Sequence, residues 1–187
     1  MGITIHHIDR EFSPSEAEAI TGLSATLQRD WRRRGFLPEN KDGKWTRFSL
    51  SHIIEMFVMK ALSDAGFSVS AVTKHAHAAI LPTLEFLYRL PGSVVFEGEE
   101  ISEELKQEII DDLCGGLPGR YIVVFQGANG DAGGLRLPSL DNLDVYMAER
   151  KTAHVTLIDC ELLANTIAER AGSPIHRITA ERLDDEK

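Results

Sequence analysis

Arg29, Arg32, Arg33 and Arg34 crowd one short stretch, Ser24-Ala-Thr-Leu-Gln-Arg-Asp-Trp-Arg-Arg-Arg34, which is closed by Gly35. A guanidinium can donate two parallel hydrogen bonds to the edge of guanine in a major groove, and it pairs well with phosphate. That chemistry needs the cations on one side of a rigid element and an apolar anchor on the other. Leu23, Leu27 and Trp31 recur at four-residue spacing, which predicts one buried helical stripe. At about 100° per residue, Ala25, Arg29, Arg32 and Arg33 point away from that stripe. The candidate DNA-binding residues of this segment are Ser24, Ala25, Thr26, Gln28, Arg29, Arg32 and Arg33. Lys44 and Arg47, beyond the next turn, complete the set. Arg34 falls near the stripe at the helix end and is expected to matter more for folding than for reading bases.

The flanking residues supply the scaffold that such a helix needs. Ser13-Pro-Ser-Glu16 is a capping box with proline at the first helical position, and it opens a short helix through about Ile20. Gly22 ends that helix, and Ser24 caps the next. Gly35 and Pro38 stop the second helix. Two short helices around a tight turn make a helix-turn-helix, whose second helix enters the major groove. Glu39-Asn-Lys-Asp-Gly43 is a turn signal, and Lys44-Trp-Thr-Arg-Phe48 has strand character. Ser49 caps a third helix, Leu50 to Ala65, with Leu50, Ile53, Ile54, Phe57 and Ala61 as its stripe and Gly66 as its stop. Met56 and Met59 lie off that stripe, so this helix packs on more than one side. Trp31, Phe36, Trp45 and Phe48 could make a base-stacking platform. A core role explains them better, with Trp45 and Phe48 closing a hairpin onto the helices.

The order of these signals resembles the MerR-type winged helix-turn-helix. The resemblance rests on the Gly-x-Ser turn, on Trp31-Arg-Arg-Arg-Gly-Phe-Leu-Pro38, on Trp45-Thr-Arg-Phe-Ser49, and on the long helix ending Asp64-Ala-Gly-Phe-Ser68. It covers roughly the first 80 residues. It implies that the hairpin is a wing on the phosphate backbone, that the second helix reads the major groove, and that a following helix dimerises the protein. Two positions depart from the pattern. Aligned from Trp31, the usual leucine is Gln28, with Leu27 beside it. Thr46 stands for the first arginine of the wing, which leaves Arg47 as its basic residue.

The chain has 187 residues and 43% hydrophobic content, enough for one large or two small packed domains. Cys114 and Cys160 make no disulfide framework, and neither a secretory signal nor a membrane-spanning run is found. A cytoplasmic location is expected. The net charge of −9 argues against nucleic acid only until it is divided along the chain. Residues 24–47 carry seven basic and three acidic side chains, while residues 81–187 carry ten basic and twenty acidic ones. Phosphate contacts act within a Debye length of about 8–10 Å, so a local basic surface suffices for DNA. The arginines could instead be only a solvated helix end, favoured by the dipole; their register with the caps and the wing favours DNA.

Elsewhere the residues suggest structure more than chemistry. Ile3, Ile5 and Ile8 predict a short strand or arm, with His6 and His7 on its surface. Ser68 opens a helix with Val69, Val72, Ala76, Ala79 and Ile80 as its stripe, and His75 and His77 are expected to be exposed or dimer-facing. Pro82 ends or kinks that helix, and Thr83 to Leu90 continues it with an apolar surface. Those apolar positions predict dimerisation. Pro91-Gly92 marks a boundary. Beyond it, Val94–Phe96, Tyr121–Phe125 and His154–Ile158 predict strands, Ile101, Leu105, Ile109 and Leu113 form a helical stripe, and Asp159 caps a last helix through Arg170. Gly127-Ala-Asn-Gly-Asp-Ala-Gly-Gly134 lacks the lysine and the spacing of a phosphate loop and is expected to be a mobile loop. Cys114 and Cys160 could form a thiol or metal sensor with His154 or His176, although packing roles suit them better. No nucleophile and base share a spacing that would make an active site.

The expected fold class is mainly α plus α/β. Residues 1–67 form a winged helix-turn-helix, 68–91 a helical connector, 92–178 a small α/β domain, and 179–187 a charged tail. The expected function is a sequence-specific transcriptional regulator that binds double-stranded DNA as a homodimer. It would need no cofactor or metal, have no membrane association, and offer its C-terminal domain to a small-molecule effector or protein partner. The alternative is a phage or mobile-element packaging or excision factor that uses the same winged helix. An enzyme in residues 92–178, tethered by the N-terminal domain, is a third.

Overall fold

The structure is a computed structural model, and it describes residues 3–39, 46–98, 101–115, 119–126, 132–152, 154–172 and 174–182. Among these are eight helices and two three-stranded sheets, a mixed α/β architecture. Strand β1 (Ile3–Asp9) leads into α1 (Pro14–Thr21), α2 (Ala25–Arg33) and the long α3 (Leu50–Asp64). Helices α4 (Val69–Ala78) and α5 (Ile80–Arg89) follow. Next come β2 (Val94–Gly98), α6 (Glu103–Cys114), β3 (Tyr121–Gln126) and β4 (Ala132–Leu137). The chain continues as α7 (Leu143–Glu149), β5 (Thr156–Asp159), α8 (Cys160–Ala171) and β6 (His176–Arg182).

Local chemistry sets the N-terminal helices. The Ser13 hydroxyl accepts from the Glu16 amide, and the Glu16 carboxylate accepts from the Ser13 amide, so the capping box is complete. Gly22 takes the left-handed conformation, φ 72°, that ends α1 and that a side chain would strain. The Ser24 side chain caps α2, and the Ser49 hydroxyl and the His52 ring form a second capping box at α3. Phe12 and Phe48 exchange both backbone hydrogen bonds, at 2.8 and 2.9 Å, and both rings are fully buried. This bridge fastens the residue before the α1 cap to the residue before the α3 cap. Trp45 and the turn at 40–44 lie outside the described residues.

One hydrophobic core runs from Phe12 through α1, α3, α4 and α5 to Ile122, Val124, Leu163, Ala164, Ile167 and Ile175. Most of the apolar surface of the connector is hidden inside its own chain, with Leu81 left exposed. Val72, Ala76, Ala79 and Leu87 are fully buried, because α4 lies on α3 and α5 lies on α8. Dimerisation therefore cannot be inferred from those residues, as the sequence alone suggested. The break between α4 and α5 falls at Ala79, three residues before Pro82. Pro82 is then in the first turn of α5, where no amide is needed for the helix.

The two sheets account for the other departures. β6 lies between β1, antiparallel to it, and β2, parallel to it. Residues 179–182 are thus a paired strand and not part of a frayed tail; alternate residues Ile178 and Ala180 bury their side chains under α6 with Ile101 and Ile109. In the second sheet β3 is central, antiparallel to β4 and β5. Gly133 and Gly134 belong to β4, and residues 127–131 of the glycine-rich segment lie outside the described residues. A Cβ on Gly134 would meet the His75 ring, whose Nε2 is 3.0 Å from the Ala132 carbonyl. His75 is accordingly buried within its own chain, where the sequence suggested an exposed or dimer-facing side chain, while His77 is exposed beside Glu55.

Candidate nucleic-acid interface

Helix α2 presents a polar face because its other face is held from below. Trp31 is buried against the core, and Gln28, 1% exposed, takes the inward position next to it. Gln28 Nε2 donates to the carbonyls of Pro14 at 2.9 Å and Leu23 at 2.8 Å, tying α2 to the first residue of α1 and to the turn. Leu27 is 38% exposed. The stripe expected from Leu23, Leu27 and Trp31 is thus Leu23, Gln28 and Trp31. With the helix rotated in this way, Gln28 is withdrawn from the DNA-facing set, because a buried amide spent on two carbonyls cannot reach a base. Glu18 of α1 adds a further tie, its carboxylate accepting from the Ala25 amide at 3.1 Å.

Ala25, Thr26, Arg29 and Arg33 are all exposed. Arg29 reaches back one turn to the Thr26 hydroxyl at 3.3 Å and has no ion pair among the described residues. Arg33 pairs with Asp30 at 2.6 Å with four-fifths of its side chain in solvent, so that pair adds little stability and leaves the guanidinium accessible. Ser24 is a half-buried cap. Arg32 differs from the others: its Nε donates to the Pro38 carbonyl at 3.2 Å and its guanidinium lies 5.8 Å from the Phe48 ring centre. That placement makes it a strut between α2 and the segment after it. Arg34 is exposed, pairs with Asp30 at 3.5 Å and covers the Phe36 ring. Arg47 is exposed and next to Phe48, so the segment leading into α3 adjoins the last turn of α2. Lys44 lies outside the described residues.

The order of α1, tight turn, α2, Phe48 bridge and long α3 is that of one known family. Residues 12–78 are a MerR HTH family domain. The match, to the MerR HTH family regulatory protein, starts at Phe12 of the bridge and stops at the end of α4. Such domains are the DNA-binding part of transcriptional regulators. No curated protein matches the chain. In this MerR domain the departures from the family pattern have visible consequences. Gln28 fills the leucine position with a polar lock, and Arg47 is the exposed base beside the bridge.

Two features outside α2 were not legible in the sequence. Arg10 donates to the carbonyls of Ala171 and Gly172, each at 2.9 Å, and to Glu16 at 3.0 Å, so it clamps the MerR domain to the end of α8. Arg170 returns the contact by donating to the Ile20 carbonyl at 2.8 Å. A lone arginine carries no sequence signal of a partner 160 residues away. Of the two thiols, Cys160 is fully buried and its pKa is pushed up to about 11, first by that burial. Burial also raises the half-buried Cys114 thiol. Both are therefore thiols rather than reactive thiolates at neutral pH. Among the described residues, no three His, Cys, Asp or Glu side chains form a group that could hold a metal, and no helix is long and apolar enough to cross a membrane.

Proposed function

We propose that this chain is a transcriptional regulator that reads its operator with α2, Arg29 and Thr26 facing the bases and Arg33 and Arg47 facing phosphate. The observation that carries this reading is the exposed Arg29 on the solvent side of a helix locked from below by Gln28 and Trp31. Ala25 beside them is small enough to let the helix approach the groove. Ser24 contributes as a cap and Arg32 as a strut that keeps the wing segment close to α2. Lys44 contributes a further positive charge to the sequence between α2 and α3.

One nine-residue helix reads too few base pairs for useful specificity, which supports a homodimer on an inverted repeat. An apolar cleft of about 170 Å³ between α3 and α8, bordered by Phe57, Leu157 and the largely exposed Leu162, is the surface that favours self-association. The acidic remainder of the chain limits non-specific binding and is where an effector or protein partner would act. Genome-wide mapping of bound sites, followed by titration of the full-length protein against the recovered sequence, tests the reading. A recurring inverted repeat upstream of genes is expected. Uniform occupancy without a motif would contradict it.

A further inference from the structure

At the junction of β1 and β6, Asp9, His176 and His7 form a chain of contacts. His176 Nδ1 is 2.7 Å from Asp9 Oδ1, and His176 Nε2 is 3.2 Å from His7 Nδ1. Only 2% of the His176 side chain is exposed, whereas His7 is at the surface. Asp9 can only accept while ionised, so Nδ1 of His176 carries a proton. The two facing nitrogens, His176 Nε2 and His7 Nδ1, then hold one proton between them. With that single proton they form a hydrogen bond. Where that proton is on His176 Nε2, His176 is an imidazolium held between Asp9 and His7, and the only free nitrogen of His7 is the Nδ1 that faces it. A proton taken up there makes both nitrogens donors, the bond is lost, and two imidazolium rings whose centres are 5.5 Å apart repel.

The groups around this pair do not cancel that effect. Asp9 is already committed to His176. Tyr88 of α5 packs its ring, tilted by 54°, 5.1 Å from the His176 ring, and its hydroxyl is held neutral, with a pKa pushed up to about 12 mainly by burial. Arg10 and Arg177 border the adjoining open cleft of about 410 Å³, which gives solvent access to the cluster, and both add positive charge. Arg177 is engaged by Glu97 at 3.2 Å and Arg10 by Glu16 at 3.0 Å. The junction also bears load. The Arg10 amide donates to the Ile175 carbonyl, and the amides of Ile175 and His176 donate to the Ser93 carbonyl. Phe12, the first residue of the MerR domain, is two residues further on.

We propose that Asp9, His176 and His7 form a proton-sensitive clamp that holds the β1–β6 junction closed at neutral pH and loosens the seat of the MerR domain on acidification. The effect on DNA rests on the operator-binding reading above. The sign follows from His7. Burial first, then His176, hold its pKa below the ordinary 6.5, with Asp9 opposing. The open state therefore binds the proton more readily, and the stability of the closed junction, present above about pH 6.5, is lost as pH falls below it.

Amide hydrogen exchange of the full chain between pH 7.5 and 5.5, corrected for the chemical exchange rate, tests the clamp. If opening takes up one proton, exchange across residues 7–10 and 175–178 rises up to about tenfold per pH unit below the transition. His7→Gln, a surface change that cannot titrate, should make that region pH-independent while leaving the fold intact by circular dichroism. A flat wild-type profile, or an unchanged pH dependence in His7→Gln, overturns the proposal. In parallel, affinity for a specific duplex at fixed salt should fall on acidification in wild type and much less in His7→Gln. Equal loss in both overturns the coupling. No duplex binding at any pH overturns the DNA reading instead, and the exchange data still decide the clamp.

Discussion

Gln28 Nε2 lies 2.9 Å from the Pro14 carbonyl, so the inward face of α2 is joined to the start of α1 by a hydrogen bond where an apolar contact would be expected. The amide also serves Leu23, yet its Oε1 is buried with no partner among the described residues. Such an unmade bond costs about 1–3 kcal/mol. Gln28→Ala should destabilise the protein by about 2–4 kcal/mol, through the cavity and the lost bonds. Gln28→Leu should stay within about 1.5 kcal/mol of wild type, because it keeps the volume and removes the orphaned oxygen. Urea unfolding of the two variants checks both figures. A Leu variant as unstable as the Ala variant would show that the polar tie, not the volume, holds α2.

The Ser24 hydroxyl accepts from the Leu27 amide at 3.3 Å and is the side-chain cap of α2. Ser24→Ala should cost about 1 kcal/mol, and Ser24→Gly only a few tenths. Thermal melts of the pair measure the difference. Equal losses in both variants would mean that the hydroxyl contributes nothing at this end.

Acid should loosen the start of α1 at a pH set by Glu16. The Ser13 amide, then the Ser13 hydroxyl and Arg10, lower its carboxyl pKa from 4.5 to about 2. The unfolded chain binds this proton first as pH falls, so the stabilisation is complete above about pH 4.5 and is lost progressively towards about pH 2. With 40% of the side chain exposed, solvent screening reduces the effect well below what the shift alone implies. Glu16→Gln should flatten the stability profile in that window and leave it unchanged near pH 6. A profile identical to wild type would remove Glu16 from the account.

Residues 92–187 should not fold as an isolated fragment. The fragment lacks β1, the antiparallel partner of β6, and α5, against which α8 buries Leu163, Ala164 and Ile167. A thermal melt of the fragment should show no cooperative transition, and supplying residues 1–91 in trans should restore part of it. A fragment that melts sharply alone would mean that the shared core contributes little to this half.

What the sequence shows and hides follows from the range of the interactions. Caps and periodic stripes act over three or four residues, so Ser13, Ser24, Ser49 and Asp159 are legible as helix starts and are found there. Tyr121–Phe125 is legible as a strand because a continuous apolar run has few other uses. β4 is hidden in the sequence because Ala132-Gly-Gly134 has no strand propensity; its glycines accommodate the Phe125 and His75 rings, which only the fold brings near. β6 is hidden in the sequence because its charged outer residues mask the alternation of His176, Ile178 and Ala180. Within the candidate interface, Arg29 and Arg33 were placed correctly on the exposed face. Gln28 was not, since a polar residue on a buried face can be recognised only from its partners, Pro14 and Leu23.

The most direct test of the central claim separates base reading from phosphate contact on one surface. Arg29→Ala and Arg47→Ala are titrated as full-length proteins against specific and random duplexes at several salt concentrations, with folding confirmed by thermal melts. Arg29→Ala should lose about 1–3 kcal/mol on the specific duplex, relax preference at one operator position, and bind random DNA nearly as before. Arg47→Ala should weaken both duplexes alike and lower the salt slope by about one. If the two variants weaken specific and random binding by the same amounts, Arg29 does not read bases; if neither variant changes binding at all, α2 and the wing are not the DNA surface of this protein.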